Sequence, residues 1–123
     1  MSDSILRSIK NRLPMNADDN HFDPELIDAI NTYLSTLQHI GVGPDCPFHI
    51  DDDIPVWDDF DSDEERQYME KTYVYNKTKI LFDSPQSSAA LEALKEVAKE
   101  MEWRLNTLEN KKSTLTIQNG GDC

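Results

Sequence analysis

Cysteine is scarce: Cys46 and Cys123 are the two in 123 residues, far apart, and neither has neighbours at metal-ligand spacing. Neither a disulfide framework nor a zinc site is indicated, and a reduced, intracellular setting fits best. Basic residues are few as well, 12 Lys and Arg against 24 Asp and Glu, for a formal charge of −12. No basic stripe offsets that charge, so phosphate neutralisation does not drive binding to nucleic acid, and Lys71, Lys77 and Lys79 are too small a set for a patch. Long apolar runs are missing. No stretch approaches the roughly 18 residues of a membrane span, and the opening MSDSILRSIKNRL has no apolar core of signal length. The expectation is a soluble protein that makes no membrane contact and carries no export signal of its own.

Catalytic machinery is the next absence. The candidates are paired carboxylates, or His21, His39 or His49 with Cys46 as nucleophile. None sets a base beside a nucleophile near a glycine-rich turn, and the four glycines build no phosphate loop. The sequence therefore predicts no catalytic residues, no cofactor and no enzyme.

What is present is helical periodicity, strongest over residues 71–106. Leu91, Leu94, Ala98, Met101, Leu105 and Leu108 alternate spacings of three and four and so share one stripe. Met69, Tyr73, Ile80 and Leu81 supply a facing stripe, and Asp83-Ser84-Pro85 separates the two because the residue before proline avoids the helical region. An antiparallel hairpin is predicted. Two helices alone bury too little to offset roughly 1–2 kcal/mol of backbone entropy per residue, so a third helix or another subunit must close the core. Glu92 with Lys95, Glu96 with Lys99 and Glu100 with Arg104 mark the remaining face as solvated or subunit-facing.

Upstream, Ile5, Ile9 and Leu13 with Leu6 give a short amphipathic helix that Pro14 ends. Phe22-Asp23-Pro24-Glu25 reads as a helix start, with Asp23 as cap and Phe22 as a staple on Ile27. The helix runs through Leu26, Ile30, Tyr33, Leu37 and Ile40 to a left-handed cap at Gly41. Ser62-Asp63-Glu64-Glu65 is a capping box that opens the hairpin's first arm. The fold class is thus mainly α: a bundle of about four helices with a long acidic loop, 41–61, between the second and third. Weak alternation at Phe48, Ile50 and Ile54 leaves a short β-hairpin open there. One helical domain covers 1–109, and an extended C-terminal arm covers 110–123.

The loop carries Phe48, Ile54, Trp57 and Phe60, which serve either as a lid on the core or as a partner-facing surface; Phe48, Ile54 and Trp57 are the candidates for the latter. From Asp51 to Glu65 there are nine carboxylates in fifteen residues. Asp59, Asp61, Asp63 and Glu70 match the calcium-loop positions 1, 3, 5 and 12, but Glu64 stands where glycine is needed and Arg66 where an apolar residue is. A solvated acidic surface is the reading, with no metal site.

Ile40-Gly41-Val42-Gly43-Pro44 with Phe48, Trp57-Asp58-Asp59-Phe60, Lys71-Thr72-Tyr73, Leu81-Phe82-Asp83, Ser87-Ser88, Ala90-Leu91-Glu92 and Glu102-Trp103-Arg104-Leu105-Asn106 occur in an order that resembles the head-tail connector (adaptor, or head-completion) proteins of long-tailed bacteriophages. The resemblance covers about residues 22–106, and Ser84 departs from the double proline of that family's turn. It implies a mostly helical virion protein of the neck, assembled in the host bacterial cytoplasm. Copies of itself form a ring, commonly a dodecamer, beneath the portal protein. That ring extends the DNA channel and receives the next neck or tail protein, a stopper or tail terminator. DNA passes through without specific binding, which suits an acidic wall.

Trp103 and Arg104, near the end of the last helix, are the candidate subunit interface on its outer face; Trp103 lies beside the main stripe and serves either there or in the core. Thr114, Leu115, Thr116, Ile117 and Gln118 form a β-prone run suited to strand addition, and the resemblance makes the portal its acceptor. Composition alone also fits an acidic protein-interaction module or a DNA mimic of phage origin.

Overall fold

The computed structural model describes residues 4–13 and 21–115. Among these, five helices follow in order: α1 (Ile5–Arg12), α2 (Asp23–His39), α3 (Trp57–Phe60), α4 (Glu64–Phe82) and α5 (Ser88–Leu115). The mainly helical class is as expected, with one short helix more than the sequence suggested.

Helices α4 and α5 form the hairpin. Arg66 shares a surface dimple with Leu108, Tyr73 lies beside Glu102, and the Asn76 amide donates to Leu94 O at 3.4 Å, the falling register of an antiparallel pair. The α5 stripe faces inward as predicted: Ala98, Met101 and Leu105 are buried, and Leu91, Leu94 and Leu108 are half-buried. Helix α2 lies across α4, and α1 touches both. On α2, Leu26, Ile30, Leu34 and Leu37 are fully buried.

Helix α1 is too short to persist alone, and tertiary contacts hold it. Ile5, Leu6 and Ile9 are buried, each stabilising by about 1.5–3 kcal/mol relative to exposure. Ser4 Oγ accepts from the Arg7 amide, and the Lys10 ammonium, itself buried, meets Asp23 at 2.8 Å. That ion pair ties α1 to the first residue of α2. Its Lys10 end is buried and its Asp23 end partly exposed, so the pair is only partly screened by water.

Helix α2 begins at Asp23 rather than after it, with Phe22 in the cap position. Its end is a Schellman turn. Gly41 N donates to Gln38 O and Val42 N to Leu37 O, both at 3.0 Å, and Gly41 takes a φ of 98° that a side chain would disfavour. Leu37 and Val42, the residues this turn brings together, are both fully buried.

Three expectations are corrected. No strand forms among the described residues, so the hairpin at Phe48 to Ile54 is absent, although Ser4 and Val56 make an isolated antiparallel bridge. The loop instead bonds to α2 side chains, and its last residues wind into α3. The extended arm does not begin at 110: α5 continues to Leu115, so Thr114 and Leu115 close a helix, and Thr116, Ile117 and Gln118 lie outside the described residues. Cys46 is disulfide-bonded rather than an unlinked thiol; Cys123 lies outside the described residues.

The hairpin's turn end departs from the sequence reading in a way that matters for function. No residue from 79 to 97 is buried: Leu81 is 61% exposed and Val97 41%. The fully buried core lies toward the other end of the hairpin, and at the turn end only partly buried side chains such as Phe82 pack against it. Leu81 was expected in the core stripe but is left exposed.

Candidate functional site

Three surfaces stand out. The first is the acidic loop, whose path is set by two amides of α2. Gln38 Nε2 donates to Pro44 O and Cys46 O at 2.9 and 2.7 Å, and its Oε1 accepts from the Phe48 amide at 3.0 Å. Asn31 Nδ2 donates to Ile50 O at 2.9 Å, while its Oδ1 accepts from Ile50 N at 2.7 Å. Asn31 and Gln38 are seven residues apart, two turns, and so lie on one side of the helix. On the far side of the tip, Ile5 N donates to Pro55 O at 3.0 Å.

Between those anchors the tip, 51–54, is displayed rather than packed. Asp52 Oδ1 accepts from Ile54 N at 2.9 Å, a local turn that fixes its shape. Ile54 is left 77% exposed with three aspartates before it. Asp53 accepts from Arg7 Nε at 2.9 Å. Beneath the tip, a cleft of about 680 Å³ is bordered by Asp23 and Asp28 as well as Asp51, Asp52 and Asp53, five carboxylates against Arg7 and Lys10.

The other loop aromatics belong to the core. Trp57 is fully buried and its indole N–H donates to Ser8 Oγ at 2.8 Å; Phe60 is buried, with half-buried Phe48 edge-on at 5.3 Å. The lid reading therefore holds for Phe48, Trp57 and Phe60. Of the three partner-facing candidates, Ile54 alone is exposed. A fully buried indole offers a partner nothing, so Trp57 is withdrawn.

The second surface is a groove of about 460 Å³ where α2, α4 and α5 meet, bordered by Tyr33, Tyr73, Ile80, Leu81 and Ala98 with Lys77, Lys95, Lys99 and Glu102. Tyr33 and Tyr73 meet edge to face at 6.4 Å, and the Lys77 ammonium lies 5.9 and 6.0 Å from their ring centres. Burial, then the Glu102 carboxylate, pushes the Tyr73 hydroxyl up to about 12, so it stays a neutral hydrogen-bonding group. Three lysines against one carboxylate make this a cationic patch on an anionic protein. Sequence reading missed it because Lys77, Lys95 and Lys99 come from two helices and converge only in the folded hairpin.

The third surface is the outer face of α5. Trp103 is 67% exposed beside Glu96, Val97, Lys99 and Glu100, and Arg104 pairs with Glu100 one turn back. Trp103 is thus no core residue. Lys99 borders both this face and the groove, so the two are continuous.

The calcium-like carboxylates do other work. Asp59 accepts from Val56 N, Asp61 from Asp63 N and Asp63 from Arg66 N at 2.9–3.0 Å, which caps α3 and α4. Asp61 also pairs with Arg66 at 3.1 Å. Glu70 is fully buried, and burial, then the Asp61 carboxylate, pushes its pKa up to about 10. It is held as the neutral acid beside Asp61. Among the described residues no group of three or more His, Cys, Asp or Glu is placed to hold a metal, and no helix is long and apolar enough to cross a membrane.

Neither curated proteins nor solved structures give a match to this chain. The family model described as phage connector protein matches residues 5–112, from the first residue of α1 into the last turns of α5. Since that span takes in α1 to α4, the pinned loop and most of α5, the chain belongs to the phage connector proteins, a family of structural proteins of the head-tail junction.

Proposed function

We propose that this connector acts as a ring subunit in the virion neck, seated beneath the portal, where it extends the DNA channel and offers a docking surface to the next neck or tail protein. The observation that carries the reading is the hairpin's turn end, residues 79–97, in which no side chain is fully buried within the subunit. Exposed Leu81, Val97 and Trp103 on and beside it need a cover that one copy does not supply. Neighbouring copies supply it in a closed ring. Twelve copies, the number the resemblance implies, would line the channel with the acidic surface of a chain of charge −12, which repels DNA and lets it slide. The chain beyond Leu115 reaches the portal in this arrangement.

Light scattering after size exclusion, with electron microscopy alone and with portal present, tests the assembly. Rings, free or portal-bound, are expected. A chain that stays monomeric in both cases and competes with DNA for a nuclease or repressor would be a DNA mimic instead.

A further inference from the structure

We infer that the ring contact is made by the tip of the acidic loop, residues 51–54, of one copy entering the lysine-lined groove between α2, α4 and α5 of the next. The inference rests on the ring reading and adds which surfaces meet.

The two surfaces are complementary in chemistry. The tip presents three aspartates followed by Ile54, 77% exposed. The groove presents Lys77, Lys95 and Lys99 around Tyr33, Ile80, Leu81 and Ala98. Lys95 reaches its own Glu92 at only 3.8 Å, with both side chains more than half exposed, so little holds it back from a better partner. Glu102 is the one carboxylate at the groove, and it is engaged with the Tyr73 hydroxyl. An isoleucine among carboxylates fits an apolar floor among ammonium groups.

The two surfaces are also placed for a ring. Asn31 holds the loop and Tyr33 borders the groove. Two residues apart on α2, they point about 200° from each other around the helix. The tip and its acceptor therefore lie on roughly opposite sides of α2, and a copy cannot satisfy its own groove. Contacts between two different patches are head-to-tail, and they close into a ring when the rotation allows.

The tip is prepared for this task. Asn31 on one side and the Ile5 to Pro55 bond on the other clamp it, and the Asp52 turn fixes Ile54. Little conformational freedom remains to be lost on docking.

Charge reversal with rescue tests the contact. Rings of the unchanged chain are compared with those of the double variant Lys95→Glu/Lys99→Glu, of Asp51→Lys/Asp52→Lys, and of all four changes together, by light scattering and electron microscopy at two salt concentrations. Each double variant is expected to weaken assembly on the order of tenfold or more while helicity stays unchanged, and the four-fold variant to recover most of it. Ring formation should also weaken as salt rises. Ile54→Arg, at an exposed loop position that cannot upset the core, is expected to give monomers.

If the reversals leave rings intact, or the combined variant fails to restore them, the loop-groove contact is wrong while the ring stands. If the lysine variant keeps rings but loses portal docking, the groove belongs to the portal, which likewise overturns the inference. If the unchanged chain never forms rings, both readings fall.

Discussion

Glu70 is a carboxyl group that the fold takes out of water. It is fully buried beside Asp61, with Arg66 lowering its pKa less than burial and Asp61 raise it. The unfolded chain releases that proton near the ordinary value of 4.5, whereas the folded chain keeps it to about 10. Between those limits folding takes up a proton, so stability from this group is complete below the unfolded value and falls as pH rises toward the folded one. Glutamine keeps the shape but does not titrate. Glu70→Gln is expected to stabilise the chain by roughly 1–3 kcal/mol at neutral pH and to flatten its pH dependence. Chemical denaturation across pH 5, 7 and 9 gives the answer; identical slopes for both chains would mean Glu70 is ionised in the fold.

At the scale of elements, the loop is the one whose role depends on glycine. Gly43 has a φ of 86°, and a Cβ placed there would lie 2.6 Å from Phe60 Cζ. Phe60 is buried, with Phe48 against it, so the ring has little room to retreat. Gly43→Ala is expected to cost about 1–3 kcal/mol through strain and overpacking together, and to loosen the loop without unwinding α2. A melting temperature within a degree or so of the parent would show that the ring yields. Asn31 and Gln38 act at this scale too. Each polar side chain borders the apolar stripe and takes over backbone groups that a strand would otherwise have paired, which is why the alternation at Phe48, Ile50 and Ile54 produced no hairpin.

For the whole molecule, the question is which surfaces one copy leaves open. The outer face of α5 gives a separate check on assembly, since Trp103 and Arg104 are exposed and support no core contact. Arg104→Glu replaces the pairing with Glu100 by repulsion one turn away, a loss of a few tenths of a kcal/mol to the helix. It is expected to weaken ring formation several-fold while circular dichroism stays unchanged. Loss of helicity instead would make Arg104 a residue of the fold.

The start of α4 and the ends of α2 and α4 were legible in the sequence to within a residue, because they follow from local chemistry: the cap of α4 is Asp63, one residue after the Ser62 of the expected capping box, Asp83-Ser84-Pro85 ends that helix, and Gly41 closes α2, whereas α3 and the last turns of α5 were not legible. The α5 stripe and the chain's membership of the phage connectors were legible too, the latter in ordered motifs spread along the chain. Tertiary structure decided the rest. It left Leu81 exposed at the rim of the groove rather than in the core stripe, and it turned Trp57 inward, where its indole donates to Ser8 of α1. It also gathered Lys77, Lys95 and Lys99 into one groove from helices whose separate charge patterns looked merely solvated. Spacing along a chain fixes which residues share a face, but what that face meets depends on where the other elements lie.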